Sequence, residues 1–386
     1  MNQPFIIKLP KVEIKNLDFN EKKENIVSSS VLTYPLFTLG FHSFIHRTRS
    51  AMEITKNLQS KTDFYYVVNP FESTISNFED DIKKSTELYF KTSKDSNNIG
   101  NEFLSLWEIL FTFDVINKST KNIYILSNDS INDIIDLYKN KLNLTTKFNT
   151  IDNEKNIKKE NEIDLIICAN SIKVEDENFI EQDFYKEFIS YLIKILNNQS
   201  NEGNCIIKYF DSFCIPTLKI IYLISSFYNE AFIYKPFISR QSESERYLIL
   251  TGFKSTKNID KIIKMLEGIV KSFDDKNYVF DIFPDINLPK DYMSFFTFVN
   301  TRLVNNQQIM INEIIKYIKE NNYFGDKYHI FRDKQIESSK WWIKNFYPPS
   351  ENIYEKNKEE LGKLYKVTQE KLNLECQKFI ETLTPL

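Results

Sequence analysis

The chain has 386 residues, enough for one large domain with appendages or for two domains, and its 42% hydrophobic and 15% aromatic content excludes an intrinsically disordered protein. Fifty basic residues against 53 acidic ones give a formal net charge of −3, so any nucleic-acid contact has to come from a local patch rather than from global attraction. Cys168, Cys205, Cys214 and Cys376 show no metal-ligand spacing among themselves or with His42, His46 and His329, which predicts no metal site and a reducing compartment.

The opening residues, MNQPFIIKLPKVEIK, lack the apolar core of a signal peptide. The longest apolar stretch, 215–228, is interrupted by Lys219 and is too short to span a bilayer, so a cytoplasmic protein without a membrane partner is expected. Residues 1 to about 60 mix extended and helical signals, and FHSFIHRTRSAMEI brings His46, Arg47 and Arg49 close together. FYYVVNPFE reads as a β-rich run stopped by Asn69 and Pro70. Residues 77–92 have a helical pattern, and 100–116 form an apolar helix with Phe103, Leu106, Trp107, Leu110 and Phe111 at core spacing.

Shorter elements then alternate. NIYIL (122–126) is a buried strand, followed by a helix to about Lys141, a strand in TTKFNTI and a buried strand in DLIICA (164–169). A helix over 180–196, the strand NCIIKYF, a helix over 215–227 and two strands around AFIYK and RYLILTGF complete the run. Strands alternating with helices and ending in a hairpin predict an α/β fold: a mostly parallel sheet covered on both faces, with an antiparallel edge hairpin. EKNIKKENE (154–162) is a charged loop. Beyond Lys254 no strand is predicted; 257–271, 291–322, 334–346 and 351–382 read as helices, punctuated by Pro348 and Pro349. The expected organisation is an N-terminal extension (1–95), an α/β domain (96–255) and a helical C-terminal appendage (256–386).

The most specific stretch is 203–253, where GNCIIKYFDSF, an apolar helix and AFIYKPFISRQSESERYLILTGF follow one another. Lys208 ends one apolar run and Glu245 opens another, with Lys235-Pro236 and Ser239-Arg240 between them. This order resembles the C-terminal half of the FtsJ-like ribose 2'-O-methyltransferases, in particular the mRNA-cap branch of large DNA viruses. The resemblance covers about residues 40–255 and, more faintly, FRDKQIESSKWWIKNFYPP in the tail. It implies a Rossmann-like methyltransferase sheet and S-adenosylmethionine as cofactor. It also implies that Lys208 and Glu245 belong to a Lys-Asp-Lys-Glu tetrad that deprotonates a ribose 2'-hydroxyl.

The other half of that machinery departs from the family. The first tetrad lysine falls on Ser105, just before Leu106-Trp107-Glu108, and the tetrad aspartate falls on Asn170, which has no charge with which to tune a lysine. The family's glycine-rich turn reads Ser127-Asn128-Asp129-Ser130 here, and Asp129 and Asp133 set negative charge against the cofactor's own carboxylate. The seven glycines, at 40, 100, 203, 252, 268, 325 and 362, are too dispersed to build a glycine-rich loop anywhere. The interval 152–163 also leaves little room for the strand and helix that flank the family's adenine pocket. The expectation is that no cofactor binds, with S-adenosylmethionine as the cofactor if the chain is active.

A Lys208–Glu245 ion pair alone would keep the lysine charged, the opposite of what a general base requires. Lys235, Arg240 and Arg246 form the best basic cluster, on a loop rim that by the resemblance faces RNA; His46, Arg47 and Arg49 are a second candidate. Trp107 belongs to an apolar helix face, and Trp341 and Trp342 suit core packing or a partner surface better than a nucleotide cage. The leading functional expectation is a catalytically inactive methyltransferase-fold protein, an RNA-binding or scaffolding subunit in viral mRNA capping or processing, located in the cytoplasm, the viral factory or the virion. Its expected partners are capped mRNA and a protein of a capping or transcription complex. The rivals are a divergent but active S-adenosylmethionine-dependent cap ribose 2'-O-methyltransferase and a structural virion or complex component.

Overall fold

The structure, a computed structural model, describes residues 4–12, 25–31, 39–57, 64–72, 100–116, 120–127, 133–141, 149–151, 162–172, 176–256, 258–274, 276–321, 324–347 and 351–383. Its strands in chain order are β1 (Phe5–Lys8), β2 (Ile26–Ser29), β3 (Asn122–Leu126), β4 (Asn149–Ile151), β5 (Ile163–Cys168), β6 (Gln199–Tyr209), β7 (Tyr228–Lys235), β8 (Arg246–Phe253) and β9 (Tyr278–Ile282). Its α-helices are α1 (Leu39–Ala51), α2 (Asn101–Phe113), α3 (Asp133–Lys141), α4 (Ile180–Asn198), α5 (Ile215–Ser225), α6 (Ile259–Ser272), α7 (Lys290–Lys319), α8 (Asp326–Phe346) and α9 (Glu351–Leu383).

Seven strands form the central sheet in the order β1-β7-β8-β6-β5-β3-β4. β4, β3, β5 and β6 are parallel, and β8 lies antiparallel between β6 and β7, so that β7 points the same way as the parallel set. The mostly parallel, Rossmann-like methyltransferase sheet read from the sequence is present. Its hairpin, however, lies one strand inside the edge. β1 from the N-terminal extension pairs with β7, from Phe5 opposite Lys235 to Lys8 opposite Phe232, and closes that side.

Strand residues two apart share a face, and the two faces build two cores. Cys205, Ile207, Tyr209, Leu248 and Leu250 face α4, α5, α6 and the first half of α7. Ile206, Tyr247, Ile249, Ile123 and Ile125 face α2, α3 and side chains from the tail, including Trp342, Phe346 and Tyr365. Helices on both faces explain why the strands read as continuous apolar runs. The two glycines with real steric demands, Gly203 against the Gln199 side chain and Gly252 at φ +71° against Asn229, sit at the opposite end of β6 and β8 from Lys208. They serve the sheet rather than a ligand.

Two expectations need correction. FYYVV is a 3-10 turn, Phe64–Val68, whose Val67 and Val68 pack against α7; its apolar content answers to a helix–helix gap rather than to a sheet. Beyond Lys254 a strand does exist. β9 pairs antiparallel with β2, from Ile26 opposite Ile282 to Ser29 opposite Tyr278, in a separate two-stranded sheet. This ribbon also explains Lys219, the charge that interrupts the apolar helix α5: its ammonium binds both Asp281 carboxylate oxygens at 2.8 and 2.9 Å and the Phe283 carbonyl at 3.1 Å. The helical pattern at 77–92 lies outside the described residues. Among the described residues no helix is long and apolar enough to cross a membrane.

Candidate active site

In an open α/β sheet, ligands lie outside the carboxyl ends of the strands, at the crevice where the strand order reverses. Here β4 lies on one side of β3 and β5 on the other, so that crevice opens between the ends of β3 and β5, beside the end of β6. Ser127 follows β3, Asn170 and Ser171 follow β5, and Lys208 stands near the end of β6. The sheet alternation sends Lys208 to the α2 side, and the antiparallel register that sets it opposite Tyr247 brings Glu245 beside it.

Lys208 Nζ lies 3.5 Å from Glu245 Oε2 and 3.5 Å from Glu102 Oε2, and donates to Ser171 Oγ at 3.4 Å. All three charged side chains are buried. Burial, the largest influence, would lower the lysine's pKa; Glu245 and Glu102 outweigh it and hold the ammonium above its ordinary value. Burial likewise would raise Glu245, but Lys208 and Lys235, helped by a 2.9 Å hydrogen bond from Asn101 Nδ2, hold it below the usual carboxylate range. The sequence therefore brings Lys208 and Glu245 together as expected. Ser105 reaches the cluster indirectly, its hydroxyl donating to Asn101 Oδ1 at 3.5 Å. Asn170 turns away, donating to Glu187 Oε1 at 2.7 Å.

Glu102 is the residue that sequence reasoning missed. From the first turn of α2 its carboxylate accepts from Ser127 Oγ at 3.3 Å and from Ser171 Oγ at 3.1 Å, spanning the crevice from the end of β3 to the end of β5. The available signal was its position three residues before Ser105, on the same helix face. Asn128, Asp129 and Ser130, and the side chain of Asp133, lie outside the described residues.

The cations expected on an exposed rim point inward instead. Lys235 Nζ donates to the Glu245 carbonyl at 2.8 Å and the Glu243 carbonyl at 3.0 Å, and burial, reinforced by Arg246, pushes it down to about 8. Arg240 makes a bidentate pair with the fully buried Glu72 at 2.6 and 2.9 Å, and its guanidinium stacks 3.9 Å from the Tyr66 ring. Arg246 reaches Asp211 at 3.3 Å and Ser212 Oγ at 3.2 Å. The loop is short and held between β7 and β8, so its long side chains follow the polar interior where carboxylates and carbonyls wait.

In the second candidate cluster, Arg49 is buried in a bidentate pair with the same Asp211, at 2.7 and 3.0 Å. The His46 ring donates to the Asn178 carbonyl at 3.1 Å, and burial together with Arg49 lowers its pKa. Arg47 is exposed. The tryptophans are structural: Trp107 Nε1 donates to the Phe346 carbonyl at 2.7 Å, Trp342 Nε1 to Glu108 at 2.8 Å, and Trp341 meets the Phe237 ring edge-on at 5.1 Å.

Comparison with known proteins agrees with this architecture. A family profile described as FtsJ-like methyltransferase matches residues 115–253, from just after α2 to the end of β8. An uncharacterized protein of Acanthamoeba polyphaga mimivirus, R383, is 30% identical over 261 residues, 67% of this chain and 70% of that protein. The chain belongs to the FtsJ-like methyltransferase family. Over 137 residues, 35% of the chain, it is also 23% identical to the cap-specific mRNA (nucleoside-2'-O-)-methyltransferase 2 of Drosophila melanogaster, of which the match spans only 19%.

FtsJ-like methyltransferases generally depend on S-adenosylmethionine. In this FtsJ-like chain the crevice where such a group would lie is crossed by the Glu102 carboxylate, which holds the hydroxyls of both rims. A carboxylate there would repel the carboxylate of an amino-acid cofactor and attract its ammonium. Among the described residues no cluster of ligating side chains suits a metal ion.

Proposed function

We propose that this chain is a catalytically silent member of the family, kept as a scaffolding subunit of an RNA-modifying or mRNA-capping assembly. The observation that carries the reading is Glu102, which bridges Ser127 and Ser171 across the ligand crevice and fixes Lys208 as an ammonium. A ribose hydroxyl is deprotonated by a lysine that can be neutral near pH 7; here two buried carboxylates face Lys208, and Ser105 stands where the family has a second lysine, which favours the charged form. Lys235, Arg240 and Arg246 in this reading hold the loop between β7 and β8 in place, so RNA contact, where it exists, uses other side chains.

Isothermal titration of the full chain with S-adenosylmethionine tests the proposal. No saturable heat is expected, and no methyl transfer to capped RNA. A micromolar dissociation constant, with transfer abolished in Lys208→Ala, would overturn it. That outcome would favour the second reading, a divergent active cap ribose 2'-O-methyltransferase, which the intact Lys208–Glu245 pair and the Drosophila similarity support. RNA retention is tested separately: phosphate contacts make affinity fall as salt rises, at a slope of roughly 0.7 per contact for single strands.

A further inference from the structure

A cavity among the tail helices also reaches Phe5, which pairs with Lys235 at the end of β7, and Gln241 in the loop that follows. An open trough of about 790 Å³ is bounded by one face each of α7, α8 and α9, with Phe5 and Val68 at its end. The contributing positions have the spacing of single helix faces: Ile309, Glu313 and Lys316 on α7 with Glu320 capping its end, then Lys327, Ile330 and Lys334 on α8. On α9, Thr368, Lys371 and Glu375 repeat the pattern. The floor is apolar, made by Met310, Tyr317, Phe331 and Leu372. Ile309 and Ile330, 58% and 55% exposed, stand beside it, and none of the described residues covers them.

Charge selects among occupants. Glu375 pairs with Arg302 and Glu320 with Lys327 along the walls, which sets Lys316, Lys334 and Lys371 against Glu313. A polyphosphate strand would meet the lysines but bring no apolar face to Ile309 and Ile330. A helix with one apolar face and acidic flanks would cover Ile309 and Ile330 while its carboxylates met the surplus lysines. We propose that the trough is a docking site for an acidic, amphipathic helix of a partner protein, so that the tail is the part of the scaffold that recruits. Cofactor titration probes a different site, so the failure of either idea leaves the other standing.

The experiment is a selection from a display library of amphipathic helical 16-residue peptides on the full chain, with Ile330→Glu as the counter-target. Both this side chain and Lys334 are exposed, so their substitution leaves the core untouched. Enriched peptides are expected to carry apolar residues at i, i+3, i+4 and i+7 and acidic flanks. They should lose roughly tenfold or more in affinity on Ile330→Glu, and a smaller factor on Lys334→Glu that disappears at high salt. Enrichment of basic or unpatterned peptides, or equal binding to the Ile330→Glu chain, overturns the proposal. So does an oligouridylate that binds in place of peptides and is lost on Lys334→Glu. Light scattering that shows a dimer abolished by Ile330→Glu would assign the trough to a second copy and equally overturn it.

Discussion

Helix α2 carries two buried glutamates, one in its first turn and one at its middle, and the two meet opposite chemistry. At its start Glu102 joins Glu245 around the ammonium of Lys208, a set of formal charges at the strand ends. Two turns later Glu108 is surrounded by neutral donors: the Tyr234 hydroxyl, Trp342 Nε1 at 2.8 Å, and the backbone amides of Phe237 at 2.7 Å and Ile238 at 3.3 Å. Burial raises the Glu108 pKa to about 7, because its hydrogen bonds do not fully replace lost hydration. Glu245, equally buried, is held below the carboxylate range because its partners include cations. Depth alone therefore does not decide a carboxylate's state; the charge of its partners does. The first cluster organises the crevice, and the second ties the tail to the sheet.

The largest effect should come from removing the cation. Lys208→Met takes from two buried carboxylates the cation they share and should cost about 3–5 kcal/mol in urea denaturation. Adding Glu245→Gln to that variant should recover part of the loss; strict additivity would mean that the pair is not coupled.

Next comes Glu108→Gln. An amide turns its own donors towards a ring of donors, and the cost depends on pH. Glu108's folded pKa lies above the unfolded value of 4.5, so its contribution is fully present below pH 4.5 and is lost as pH rises through about 7. That displacement is worth about 3 kcal/mol. The deficit of Glu108→Gln relative to wild type should therefore shrink by about this amount between pH 4 and pH 8. Glu245 contributes the reverse slope, present above pH 4.5 and lost on acidification. A pH-independent deficit at position 108 would erase the distinction between the two glutamates of α2.

Arg240→Ala, which takes the bidentate cation from buried Glu72 but leaves the Asn69 amide donating at 3.1 Å, should cost about 2 kcal/mol. Its effect on RNA affinity should be nil, since the guanidinium faces the protein. The smallest effect is expected at Lys8–Glu230, a pair with side chains 41% and 47% exposed on the sheet edge. Lys8→Ala should cost less than about 1 kcal/mol, and high salt should remove what there is.

Much of the fold was legible because apolar periodicity is a local property. NIYIL, DLIICA, NCIIKYF and RYLILTGF are strands, and GNEFLSLWEILF is a helix, because each segment's own pattern admits little else. The Lys208–Glu245 contact was legible too, since two residues at facing ends of adjacent antiparallel strands must meet. Short elements were not. Phe64–Val68 and Tyr278–Ile282 are five residues each, and their form depends on what they pack against.

What the sequence determined by itself is the alternation of strands and helices, the family, and the residue types at the strand ends. What only tertiary structure decided is where long polar side chains go. Lys235, Arg240 and Arg246 read as a basic rim because linear spacing contains charge but no direction, and folding turned all three towards Glu72, Asp211 and buried carbonyls. Glu102 read as one acid on an apolar helix, yet the packing of α2 over the ends of β3 and β5 made it the bridge across the crevice. The physical reason is the same in both cases. The state of a charge depends on which groups lie within a few ångströms of it, and residues far apart in the chain supply most of those.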